Sequence, residues 1–349
     1  MDELSATVID FALNAGAAGA GIVTKETLAG GPPSTDLSYV LPSAKSAVVF
    51  ALPLKQEHIE PYLAKADHAS HDADNARTTN LASGVALQLA RYLEMKGFAA
   101  KAVAANHVYR KDSENGIFDE HPDLSHRYLA VRAGIGWFGL SGNIIRGDTG
   151  AALVLASVVT DAELTPGDPL PLEQSYCDSC KLCMTSCFSG FMHPSELAEI
   201  TLGGEIFRYS RRQGHVRCDY VCGGFAGLVP GGDWSTWSPS RYPIPDNEKG
   251  FKQMLRPAAK AYYQRPPAPG GFYNPLLKSR KLEFTCGHCM LVCHPDPKVR
   301  KKRHKMLKQS GVVIQEPDGS RRAVTADEAR QHVAAMEPEQ RALYELLDC

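Results

Sequence analysis

The sequence predicts a mixed α/β fold in three parts: an α/β layer over residues 1–170, a cysteine-rich module over 171–300, and a helical tail over 301–349. Three observations predict it. Helix-period segments alternate with short unbroken apolar runs through the first half, the pattern of helices packed on a buried sheet. Nine of the ten cysteines fall between Cys177 and Cys293 at close, regular spacings. The last fifty residues carry helix-start signals and a hairpin turn.

The elements follow in order. Leu4, Val8, Phe11 and Ala12 mark one face of a helix that Gly16 stops. Ser46 to Leu52 is an apolar run ending at Pro53 and reads as a strand buried on both faces. Leu81, Val85, Leu89 and Tyr92 recur at helical spacing, with Gly97 just past the end. Ala99 to Ala105 alternates like a strand. Ser125 is placed to cap a helix through Leu129, Ala130 and Ala133 that Gly134 closes. Ala151 to Val159 is a second buried strand. Residues 223–275, within an insertion spanning 223–285, are rich in glycine and proline. They also hold Trp234, Trp237, Tyr242, Phe251, Tyr262, Tyr263, Phe272 and Tyr273. Disordered segments are depleted in aromatics, so the insertion reads as ordered and loop-rich, covering a cluster or roofing a pocket. In the tail, Lys298 to Lys305 is strongly basic, a hairpin is expected at Pro317-Asp318-Gly319, and Thr325 with Glu328 forms a capping box for a helix through Ala335. Pro338 starts another helix. The basic run suits RNA phosphates, an acidic electron donor, or simply a solvated helix face.

Cysteine spacing carries the chemistry. Cys177, Cys180, Cys183 and Cys187 form C-x2-C-x2-C-x3-C; Cys286, Cys289 and Cys293 form C-x2-C-x3-C; Cys218 and Cys222 lie between. Thiolates three residues apart wrap one face of a [4Fe–4S] cube, and the next cysteine, one residue further on, reaches a second cluster. The second run lacks one ligand, which Cys218 or Cys222 supplies. The spacing therefore predicts two [4Fe–4S] clusters in a ferredoxin-like module. Zinc prefers two separated C-x2-C pairs, and disulfide frameworks belong to short secreted chains.

Composition excludes several classes. A formal charge of −1 argues against a protein built to coat nucleic acid or an anionic membrane. No stretch approaches the roughly 18 apolar residues of a membrane span, and the first thirty residues lack a signal-peptide pattern. A cytoplasmic location without membrane attachment is expected.

Tyr128-Leu129-Ala130-Val131-Arg132-Ala133-Gly134-Ile135-Gly136-Trp137-Phe138-Gly139 and Ser141-Gly142-Asn143-Ile144-Ile145, followed by the strand ending Val159-Thr160-Asp161 and then the cysteine run, resemble epoxyqueuosine reductases. Cobalamin-dependent reductive dehalogenases share this order of parts. The resemblance covers roughly residues 40–300 and is strongest over 127–187 and 284–295. It implies a nitroreductase-like core holding cobalamin, followed by the two-cluster module, with electrons reaching cobalt through the clusters. It further implies that Cys177, Cys180, Cys183 and Cys293 hold the first cluster, and that Cys187, Cys286, Cys289 and Cys218 hold the second. Arg217-Cys218 resembles the family's isolated Arg-Cys, and Cys222 is the alternative to Cys218. Gly134, Gly136, Trp137, Gly139 and Asn143 become the expected cobalamin contacts; the glycines permit close approach of a large flat ligand. Phe188 and His294 stand where the family usually has proline.

Reductive removal of oxygen or halide needs a proton donor. The family places an aspartate shortly before the Leu-Ala segment, where this chain has Asp119-Glu120-His121-Pro122-Asp123 in a non-matching context. Asp123 and Glu120 are the leading acids, and Tyr109 beside Arg110 is the dehalogenase-like alternative; His107, His121 and His126 are equally compatible with surface positions. The expected activity is reduction of a small-molecule or nucleoside substrate, fed by a low-potential donor such as ferredoxin or flavodoxin. Epoxyqueuosine reduction on tRNA and a non-catalytic two-cluster electron carrier are the alternatives.

Overall fold

The computed structural model describes residues 1–105, 109–114, 116–119, 121–267 and 283–347. In chain order the elements are α1 (Glu3–Asn14), β1 (Gly19–Thr24), β2 (Ser46–Pro53), α2 (Ile59–Leu63), α3 (Ala69–Met95), β3 (Ala100–Val103), α4 (His126–Arg132), β4 (Trp137–Phe138), β5 (Ile144–Ile145) and β6 (Leu153–Thr160). They continue with α5 (Leu182–Thr185), β7 (Met192–Leu202), β8 (Glu205–Arg212), α6 (Val216–Cys222), α7 (Glu248–Gln264), α8 (His288–Leu291) and α9 (Pro297–Lys308). The last are β9 (Val312–Gln315), β10 (Arg321–Val324), α10 (Ala326–Ala334) and α11 (Pro338–Arg341). The chain divides into two compact units. One comprises residues 1–54, 77–180 and 194–211; the other comprises 55–76, 181–193 and 212–349.

In the first unit a four-stranded sheet has the order β1-β2-β6-β3, with every pairing antiparallel. The expected strands are therefore present, and their connections are those of an antiparallel sheet rather than of parallel βαβ units. β2 is central and buried from Ser46 to Leu52, because α4 packs across β1, β2 and β6 while α1 packs on β1 and β2. Asp2 caps α1 through its side chain. Ser125 precedes α4 as expected, but makes no side-chain cap bond. α3 begins at Ala69, well before the apolar period at Leu81.

The sequence reading missed β1 and the hairpin of β7 and β8. The hairpin turns at Gly203-Gly204, both at positive φ (59° and 89°), as a tight two-residue turn demands. Ion pairs Arg208–Glu199 (2.8 Å) and Arg211–Glu196 (2.7 Å) link its strands. Leu202 and Tyr209 are buried in the first unit's core with Leu129, Ala130 and Phe138.

In the second unit the insertion is ordered over its described part and contains a helix, α7. Asn247 caps it, and Phe251, Ala258 and Ala261 on one face pack with Val216, Tyr220 and Val221 of α6. Glycine and proline content hid this helix, which even carries Pro257. Residues 268–282 of the insertion, with Phe272 and Tyr273, lie outside the described residues. The capping box of Thr325 and Glu328 is formed, and β9 pairs with β10 across the predicted turn.

Candidate iron–sulfur site

Five cysteines converge in the second unit. Cys218 and Cys222 sit four residues apart on α6 and so share a face; their sulfurs are 3.6 Å apart. Thr285 straps the segment before Cys286 to the end of that helix, its backbone N–H donating to the Cys222 carbonyl (3.0 Å) and its hydroxyl to the Val221 carbonyl (2.9 Å). The Tyr62 hydroxyl donates to the Cys286 carbonyl at 2.9 Å. Gly287, at φ +77°, turns the chain into α8, which carries Cys289.

Cys187 is brought to the group from another direction. Its sulfur lies 3.3 Å from the Ser189 hydroxyl. Arg217 donates to the Ser189 carbonyl (3.3 Å) and the Asp246 carbonyl (2.8 Å), with its guanidinium over the Phe251 ring at 4.8 Å. The residue read as half of an Arg-Cys pair thus ties the Cys187 loop to the start of α6, a role spacing could not reveal. Phe188, where proline was expected, packs edge-on against Trp234 at 5.8 Å. His294 accepts the Asp296 backbone N–H through Nδ1 (3.1 Å).

The thiols perturb one another. Burial pushes Cys187 up, with the charge of Cys218 adding to it. Cys218 is driven well up by its hydrogen bond with Cys222 and then by burial. For Cys222 the bond with Cys218 acts downward, but the bond with Cys286, burial and the Cys286 charge outweigh it and leave the thiol well up. Burial, then the charges of Cys187 and Cys218, raise Cys289. Thiols that repel one another in this way ionise together only beside a cationic partner such as a metal. Among the described residues no group of three His, Cys, Asp or Glu closes around a single metal ion. An all-sulfur donor set spread over two loops and two helices fits a cluster, whose ligands surround a cube.

In the first unit, Cys177 accepts a hydrogen bond from the Leu140 backbone N–H at 3.3 Å. Leu140 directly follows the glycine–tryptophan segment and is held by its carbonyl, which accepts from Ser210 of β8 (2.9 Å). Cys180 is exposed, and its backbone N–H donates to Asp178 (3.2 Å). Cys183 and Cys293 belong to the second unit, where α5 packs on α8 and α9.

The expected cobalamin contacts have partners of their own. A β-carbon at Gly134, whose φ is +71°, would meet the Asp168 carbonyl; at Gly136 it would meet the Ile145 carbonyl; at Gly139 it would come within 2.9 Å of Ile145 Cγ2. The close approach these glycines permit is made by the chain itself. Trp137 is half-buried and donates to the Pro171 carbonyl (2.9 Å), and the Asn143 carbonyl accepts the Gly139 N–H (2.9 Å).

Among the expected acids, Asp123 is half-buried with its carboxyl pushed up by burial, and it accepts the Leu124 N–H at 2.8 Å. Tyr109 pairs with Pro122 as an isolated β-bridge, so Tyr109 and Asp123 lie in neighbouring stretches of one unit. Arg110 is committed elsewhere: it pairs with Asp112 (2.7 Å) and stacks on Tyr39 at 3.9 Å. His126 is half-buried, bonded to Ser157 (2.7 Å) and the Ala104 carbonyl (3.1 Å). His121 is exposed; Glu120 and His107 lie outside the described residues.

No protein-family model matches the chain. It is 27% identical over 157 residues to an epoxyqueuosine reductase of Gloeobacter violaceus, covering 45% of this chain and 44% of that relative. Over 77 residues it is 35% identical to the epoxyqueuosine reductase of Synechocystis sp., covering 19% of this chain and 26% of the relative. The chain is similar to epoxyqueuosine reductases. It spans less than half the length of these two epoxyqueuosine reductases. Solved structures that overlay on it include an epoxyqueuosine reductase with an epoxyqueuosine-modified tRNA-Tyr stem loop (16% identity, 97% of this chain, 74% of that chain, TM-score 0.44). A catabolic reductive dehalogenase overlays with 13% identity over 96% of this chain and 36% of that chain, at TM-score 0.47. Among the described residues no helix is long and apolar enough to cross a membrane.

Proposed function

We propose that the chain is an epoxyqueuosine reductase-like oxidoreductase holding two [4Fe–4S] clusters. Cys177, Cys180, Cys183 and Cys293 hold the first, and Cys187, Cys286, Cys289 and Cys218 hold the second, with Cys222 beside Cys218. The convergence of Cys187, Cys218, Cys222, Cys286 and Cys289 carries this reading. When bound, the clusters supply one-electron transfer at potentials set by burial and hydrogen bonds to sulfur. This chain's own part is to exclude water through Phe188, Trp234 and the α7 face, and to donate the Leu140 N–H to Cys177.

The reading extends to a nitroreductase-like first domain and to a corrinoid, both from the resemblance. Gly134, Gly136 and Gly139 do not fit as an open cradle for it, because the chain's own Asp168 and Ile145 occupy the space beside them. The substrate is a small molecule or nucleoside, with Asp123 as proton donor and Tyr109 beside it; the rise in the Asp123 pKa toward working pH suits an acid. Reduction of epoxyqueuosine on tRNA is the second reading, favoured by the names of the curated relatives.

Iron, sulfide and corrinoid analysis of anaerobically purified protein tests the cofactors. About eight iron atoms per chain is the expected result for two four-iron clusters; about four refutes the two-cluster assignment. Cys187→Ser should disturb only the cluster on Cys286 and Cys289, and the reverse outcome refutes the crossed ligation. Cys222→Ser should leave both spectra intact while Cys218→Ser does not. Turnover of tRNA bearing epoxyqueuosine separates the two substrates.

A further inference from the structure

The basic run from Lys298 to Lys305 is only partly used by the fold. Its two arginines turn inward. Arg303 donates to the Leu291 carbonyl (3.2 Å) and to Gln56 (3.0 Å). Arg300 donates to the His294 and Pro295 carbonyls, both at 3.3 Å. They satisfy carbonyls at the end of α8 and in the turn after Cys293, where a helix end leaves acceptors unpaired.

The lysines behave differently. Lys298, Lys301 and Lys305 are exposed. At i, i+3 and i+7 they lie on one face of α9, and among the described residues none is paired with a carboxylate. Lys302 is engaged with Glu60 at 2.6 Å.

The helix that presents them is fixed beside the cysteine loops. Asp296 caps it three residues after Cys293, its carboxylate accepting the Lys298 N–H at 2.7 Å. The His304 ring bonds the Thr185 hydroxyl at 2.9 Å, two residues from Cys183.

We propose that this lysine face docks a small acidic electron-transfer protein of flavodoxin or ferredoxin type, and that electrons reach the chain beside Cys183 and Cys293. The proposal rests on the iron–sulfur reading above. The step balances simply: one electron leaves the reduced donor and one reduces the chain's cluster, with no bond made or broken. Charge selects the partner. The whole chain carries a formal charge of −1, so the positive potential is local. Three lysines over about 10 Å of helix match one acidic patch. A nucleic-acid interface draws on many phosphate contacts, on arginine forks and on aromatic platforms, whereas both arginines here face inward.

The test compares the anaerobically purified chain with its Lys298→Glu/Lys301→Glu/Lys305→Glu variant. Bleaching of cluster absorbance is followed after mixing with photoreduced flavodoxin or, separately, with reduced methyl viologen. Flavodoxin should reduce the variant at least about ten-fold more slowly at low salt, the gap closing as ionic strength rises. The rate with methyl viologen, a small cation that needs no docking face, should stay within about two-fold. An unchanged flavodoxin rate at low salt overturns the proposal. So does a variant that loses affinity for an anticodon stem-loop RNA while keeping its flavodoxin rate, which gives the face to RNA. Iron content and cluster spectrum, measured on the same samples, report on the iron–sulfur reading separately; a chain without clusters overturns both.

Discussion

Replacing Arg217 by Met tests how the second cysteine group is assembled. The guanidinium makes hydrogen bonds to the Ser189 and Asp246 carbonyls (3.3 and 2.8 Å) and stacks over Phe251 at 4.8 Å. Methionine keeps most of the apolar stem but leaves both carbonyls without their donor. Hydrogen bonds to charged groups contribute about 1.5–3 kcal/mol each. The longer one counts for less, and relief from burying a charge offsets part of the loss. The net destabilisation is about 2–3 kcal/mol. The larger effect falls on the Cys187 loop, which Arg217 ties to α6 through Ser189. The assay is urea unfolding together with iron content and the cluster spectrum during slow air exposure. The second cluster should be lost first in the variant, and Arg217→Lys, which retains one donor, should restore part of its lifetime. If Arg217→Met unfolds within about 0.5 kcal/mol of the parent and both clusters decay together as before, Arg217 does not position Cys187.

Two further outcomes are expected. Gly134→Ala should lower the melting temperature, because φ +71° and the Asp168 carbonyl both oppose a β-carbon there; about 1–2 kcal/mol comes from the backbone alone. A variant with unchanged melting temperature that loses bound corrinoid would return the glycine to a cofactor role. The half-buried His126 has its pKa lowered from 6.5 to about 4, chiefly by desolvation of its ring. Because the folded value lies below the unfolded one, this stability is present above pH 6.5 and is lost as pH falls toward 4. The total is about 3 kcal/mol. Unfolding of the parent and His126→Gln at pH 7.5 and 4.5 measures it: the parent should lose more on acidification, and equal losses refute the assignment.

The sequence by itself determined the elements whose signals are local. The apolar runs of residues 46–52 and 151–159 read as strands, the second found at Leu153–Thr160, and Thr325 with Glu328 defines a helix start within one turn. The intervals of Cys177, Cys180 and Cys183 specify a loop shape that suits a cube. Only the tertiary structure decided what those elements meet. α7 was hidden because glycine and proline lower local helix propensity, while Phe251, Ala258 and Ala261 gain their burial from α6, about thirty residues away in sequence. The partners of Gly134 and Gly136 are carbonyls of Asp168 and Ile145, which no local pattern announces. Leu140 N–H reaches Cys177 across 37 residues, held there by a hairpin the sequence reading did not see. Cysteine spacing therefore fixes the chemistry available. Long-range contacts, made by Thr285, Tyr62 and Arg217, fix which sulfurs stand together, because ligand geometry depends on where separate loops are anchored rather than on their composition.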